Sequence, residues 1–151
     1  MPSAIPGAYA GLLAVLRANL PGVTVVDGPG ATDMADNRYI MVGVSDAESD
    51  GFVEAITGHQ HWAQLGGKFR DEEFAIHCSA VAWNGDGNQT QALTDAFSLF
   101  DAAGNALTSD PTLGGSILYA PGLTAFSIRF IQDANGVAAH LPFDVECRTR
   151  I

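Results

Sequence analysis

Basic residues are scarce in this chain. One lysine and six arginines stand against seventeen acids, a formal net charge of −10 over 151 residues. A grip on nucleic acid needs a basic face to neutralise phosphates, so this balance argues against one. Lys68, the single lysine, leaves little for a phosphate clamp. Cysteine is scarce too. Cys78 and Cys147 both fall in apolar alternating runs, which suits free buried thiols and a reducing compartment better than a disulfide. There is no run of about 18 apolar residues, so no membrane-spanning helix is expected. The N-terminal residues lack the basic stretch of a signal peptide. Enzyme signatures are missing as well: there is no G-x-S-x-G, H-E-x-x-H, C-x-x-C or phosphate-binding loop. A role with no active site and no cofactor is the expectation.

What is present suits a folded domain. The 47% hydrophobic content is ordinary for a globular protein. The length suits one domain spanning residues 1–151, able to bury about two-thirds of its unfolded surface. Tyr9, Leu12, Leu13, Leu16 and Leu20 recur at helical spacing, predicting a helix from about Ser3 to Leu20 with Ser3 as a candidate cap. Short β-branched runs at Val23–Val26 and Arg38–Val44 read as strands. A third strand is expected over His59–Leu65, turning at Gly66-Gly67 into a long strand over Phe69–Trp83. In that strand Phe74, Ile76, Cys78, Ala80 and Ala82 share one face. Ala75, His77, Ser79, Val81 and Trp83 share the other, also largely apolar. Helices are expected over one face, and a neighbouring subunit over part of the other.

Asp86 and Asn88 are N-cap candidates for a second helix. Its buried stripe is expected at Leu93, Ala96, Phe97, Phe100, Gly104 and Leu107. Gly104 suggests a bend or a close helix–sheet approach. The helix ends at Asp110-Pro111, with Leu113 expected under its end. A sheet run, Phe126–Phe130, and an Asn135-Gly136 turn lead to a last strand. That strand has Val137, Ala139, Leu141, Phe143, Val145 and Cys147 on one face. Pro142, on the other face, marks it as an edge strand or a bulged one.

Three constellations could carry chemistry. His59 and His61, two apart on a strand, could join His77 in a three-histidine zinc site serving a small metal-dependent hydrolase. Asp46, Glu48 and Asp50, followed by Gly51, open like a calcium-binding loop. The twelfth position, however, is Thr57 where a bidentate glutamate is needed. Asp71-Glu72-Glu73 could supply half of an acid–base pair. In each case plain solvated charge is the simpler expectation, and no metal is expected.

The order is helix, two strands, β-hairpin, long helix ending in Asp110-Pro111-Thr112-Leu113-Gly114-Gly115, then a closing hairpin ending in Arg148-Thr149-Arg150-Ile151. This order resembles the tail terminator proteins of long-tailed, non-contractile bacteriophages of the lambda type. The resemblance implies an α+β fold, one compact domain with a mixed or antiparallel sheet and helices packed on one face. It implies a homohexameric ring that caps the tail tube, ends tube polymerisation and presents a head–tail joining surface. The partners implied are further copies of the chain, the major tail tube protein and a head-completion or neck protein. DNA would pass through the lumen without specific binding. The implied location is the head-proximal end of the tail in the virion, after assembly in the host cytoplasm. A neck or tail-completion protein and a monomeric binding module are the alternatives. The interface is expected at the hairpin His59–Phe69, through His59, His61, Trp62 and Phe69, and at the last strand, through His140 and Pro142.

Overall fold

Two 15-residue strands form the spine of the molecule. The computed structural model describes residues 2–28, 37–44 and 54–151. In chain order the elements are α1 (Ile5–Asn19), β1 (Thr24–Asp27), β2 (Arg38–Val42), β3 (Ile56–Trp62), β4 (Arg70–Asn84), α2 (Gln89–Ser109), β5 (Tyr119–Thr124), β6 (Arg129–Asp133) and β7 (Gly136–Arg150). β4 and β7 pair antiparallel along nearly their whole length, from Asp71 opposite Arg150 to Asn84 opposite Val137. The outer side of β4 is covered by β3 over its first half and by β2 over its second. β1 adds to β2 in parallel, which makes the sheet mixed. The outer side of β7 is covered by β6 over its first half and by β5 over its second.

Both helices pack on one face of this seven-stranded sheet, in a single α+β domain. The alternation of the long strands puts Phe74, Ile76, Cys78, Ala80 and Ala82 under the helices, with Val137, Ala139, Leu141, Phe143, Val145 and Cys147 beside them, all buried. Both thiols are free and buried. Burial pushes the Cys147 thiol up to about 12 and raises that of Cys78 further, so neither is a ready nucleophile. On the opposite face Met41, Val44 and Val81 form a smaller buried cluster.

The helices depart from expectation in instructive ways. α1 starts at Ile5 with Ala4, not Ser3, as N-cap. Ser3 instead donates its hydroxyl to Glu72 and accepts from the Ile5 N–H. α2 is capped by Asn88, which accepts from the Gln91 N–H at 3.1 Å. Its buried stripe is Ala92, Ala96, Leu99, Ala103 and Ala106 with Leu107, turned away from the bulkier Phe97 and Phe100. Alanines let the helix axis sit close to the sheet, and the two phenylalanines cover its flank. Phe100 meets Phe143 edge-on at 5.6 Å and Phe126 at 5.2 Å, while Ile128 and Phe130 pack on the same core. A Cβ added to Gly104 would stand 3.7 Å from Leu123, an ordinary contact, so no close approach demands that glycine.

The turn after α2 is built from its own side chains. Asp110 accepts from the Thr112 N–H and hydroxyl and from the Gly114 N–H. The Thr112 hydroxyl and these backbone donors hold its carboxyl below the usual carboxylate range. Leu113, at φ 51°, is buried under the helices as expected. Gly11 of α1 lies against this turn. A Cβ there would fall 2.1 Å from the Leu113 carbonyl oxygen, backbone against backbone. Gly11→Ala is therefore expected to cost about 1–3 kcal/mol or more. At roughly 2–4 °C per kcal/mol for a chain this size, thermal melting will report it. Gly7→Ala, 3.5 Å from Ser116, is the control expected to change little.

Pro142 does not mark an edge. β7 is central, and Pro142 sits at the break between β5 and β6. Its carbonyl points to that side and accepts from the Ser127 N–H at 3.2 Å. The ring nitrogen of an extended residue points the same way, so the missing donor falls in the gap and no bond to β4 is lost. Ala125, at φ 42°, takes the chain across this gap, so β6 starts at Arg129 rather than Phe126. The β3 strand also runs earlier than expected, Ile56–Trp62 instead of His59–Leu65. The turn occupies Gln64–Gly67, where the Gly67 N–H reaches the Gln64 carbonyl. The closing hairpin turns at Ala134-Asn135, with Gly136 already paired to Asp133.

Candidate functional site

The sheet face away from the helices carries an ordered charge ladder. Register places His61, Asp71 and Arg150 in one row and His59, Glu73 and Arg148 in the next. Acids on β4 thus lie between bases on β3 and β7. Arg150 grips Asp71 with two bonds, 2.6 and 3.1 Å, and holds its carboxyl below the usual range. His61 lies 3.9 Å from the same carboxylate, and His59 lies 3.4 Å from Glu73. The His59 and His61 rings stack at 6.0 Å. Beyond this row a depression of about 240 Å³ opens over Ala75, rimmed by Thr57, His59, Glu73, Glu146 and Arg148.

His77 does not join the other two histidines. His59 is opposite Glu73, four residues from His77 along β4, which is about 13 Å of strand. Each histidine has its own carboxylate instead. His77 Nδ1 lies 2.6 Å from Asp144, and Nε2 lies 2.7 Å from the Thr57 hydroxyl. Among the described residues no group of three or more His, Cys, Asp or Glu could hold a metal. Asp46, Glu48 and Asp50 lie outside the described residues. Purified protein is expected to hold no stoichiometric zinc by elemental analysis, and calcium should leave its melting temperature unmoved. One zinc per chain, lost in His61→Ala, would contradict this.

The Thr57–His77–Asp144 row has the outline of a nucleophile, a base and an orienting acid. Its hydrogen bonds do not poise Thr57 to hand its proton to the ring. The Thr57 hydroxyl gives its one proton to Glu54 at 2.6 Å, with its oxygen 2.7 Å from Nε2. Nδ1 lies on Asp144. The Thr57 hydroxyl and the charge of His77 hold the Glu54 carboxyl below its usual range. The row ties the start of β3 to β4 and β7.

Glu72 corrects a simpler view of Asp71-Glu72-Glu73 as a charged hairpin end. Alternation sends Asp71 and Glu73 to the ladder and Glu72 under α1, where it is 1% exposed. It accepts from the Ser3 hydroxyl at 2.7 Å, the Ala4 N–H at 2.8 Å and the Gln60 side-chain amide.

The exposed apolar residues fall into two sets on opposite lateral sides of the sheet. On the β3 side the hairpin tip presents Trp62 (65% exposed), Leu65 (105%) and Phe69 (52%). On the β5 and β6 side stand Leu118, Tyr119 and Phe126. Phe126 leans on Phe97 and Phe100, and Phe97 also lines an open groove of about 680 Å³ along α2. No protein-family model matches this sequence, and no curated protein matches it at a significant level. Among the described residues no helix is long and apolar enough to cross a membrane.

Of the residues expected at an interface, Trp62, Phe69, His59 and His61 are exposed together along β3 and its turn. His140 and Pro142 are half-buried on central β7 and do not form an edge with them. Sequence reasoning missed Leu65, which the Gly66-Gly67 turn lifts fully into solvent, and the set around Phe126. An apolar residue next to a glycine turn was the available signal for Leu65.

Proposed function

We propose that the chain is a structural subunit that closes into a ring, of the kind that caps a phage tail tube, ends its polymerisation and joins it to the head. The observation that carries the proposal is the pair of unlike apolar sets on opposite sides of one sheet. A head-to-tail ring needs two different patches that meet on neighbouring copies, whereas a two-fold dimer reuses one patch. The element order agrees with the order expected from the sequence, with β5 added before the closing hairpin. A net charge of −10 suits a bore through which DNA slides without being held. The histidines, each on its own carboxylate, do not favour the hydrolase alternative.

Tube growth tests the proposal. Purified protein added to polymerising tail tube protein is expected to cap tube ends in negative-stain images and to halt elongation. Tubes that grow unchanged, with bare ends, would count against the capping role.

A further inference from the structure

The hairpin tip and the α2 groove differ in charge as well as position. The β3–β4 hairpin carries no aspartate or glutamate from Ala55 to Arg70, while Lys68 and Arg70 flank Phe69. Arg70 also lies 6.0 Å from the Trp62 ring centre, keeping positive charge beside the tip. The groove along α2 has the opposite character. Phe97 and Ala102 line it beside one acid, Asp101. Phe126 packs edge-on against Phe97 at 6.1 Å.

We propose that the hairpin tip of one copy docks in the α2 groove of the next, with Leu65 and Trp62 on Phe97 and Phe126 and Lys68 beside Asp101. This rests on the ring reading and names its contact. The tip and the groove lie on different sides of the subunit, so one copy presents its tip forward and receives a tip behind, which is a head-to-tail contact. The apolar side chains supply most of the attraction. The charged pair, being exposed, supplies orientation more than strength.

Leu65 and Lys68 are fully at the surface, so their substitution leaves the core untouched. Leu65→Asp is expected to raise the dissociation constant of the assembly by about tenfold or more. Lys68→Glu should weaken association, and adding Asp101→Lys should restore it. Leu65→Cys paired with Ser98→Cys should form intermolecular disulfides under mild oxidation, giving a ladder of linked subunits, because Cys78 and Cys147 are buried. Circular dichroism checks that each variant is folded. Wild-type assembly unchanged by Leu65→Asp, with no crosslinking, overturns this contact and leaves the ring reading standing. No assembly of the wild type at any salt or concentration overturns both.

Discussion

Phe143→Ala is expected to cost about 3–5 kcal/mol, as large aromatic truncations in close-packed cores do. Phe143 lies at the centre of β7, is 1% exposed, and is the largest fully buried side chain. Its ring stands edge-on to Phe100, which in turn meets Phe126. Removing it opens a cavity between sheet and α2 that the alanine-lined helix face cannot fill, because Ala96 and Ala103 have nothing to extend. A domain of this kind has a total stability of about 5–15 kcal/mol, so the variant loses a large share of it. Phe97→Ala, at a half-buried position on the flank, should cost less. Chemical denaturation of both variants measures the difference, and equal losses would show that the core does not centre on Phe143.

Glu72→Ala is expected to cost about 2–4 kcal/mol, because hydrogen bonds to a buried charge are stronger than neutral ones and their orphaned donors are costly. The carboxylate collects three donors from two separate segments: Ser3 and Ala4 before α1, and Gln60 on β3. It also sits at the positive end of the α1 dipole, which favours a negative charge there. Glu72→Gln keeps the volume but offers an amide N–H where an acceptor is needed, so it should fall between wild type and alanine. Hydrogen exchange should quicken first in the opening turn of α1 and along β3. A neutral result would mean that the N-terminus of α1 is held by its apolar face alone.

The strands were more legible than the contacts between them. A period of two over Phe74–Ala82 and Val137–Cys147 identifies the helix-facing sides of β4 and β7 from sequence, since each side chain's face is fixed by parity. Asn88 and the Asp110–Gly115 turn were legible because capping and left-handed turns demand particular side chains. The face of α2 was not. Bulk does not mark burial there: alanines fill the buried face and Phe97 and Phe100 lie beside them. Pro142 suggested an edge because a central strand needs its donors. A break in the neighbouring strand, which no local pattern announces, removes that need. The three-histidine zinc alternative falls for a related reason: parity puts all three on one face, but only register decides which are opposite one another. Glu72 read as surface charge because its partners lie 12 to 69 residues away.

The ring itself is tested most directly by native mass spectrometry across a salt series. Subunits of charge −10 repel within a Debye length of about 10 Å at 0.1 M salt. Each exposed Lys68–Asp101 contact returns at most about 1 kcal/mol, so net repulsion governs the trend. Monomers should dominate at low salt, with hexamers growing as salt rises and no stable dimer accumulating. A dimer that persists under all conditions, or tight binding to duplex DNA, would contradict the account.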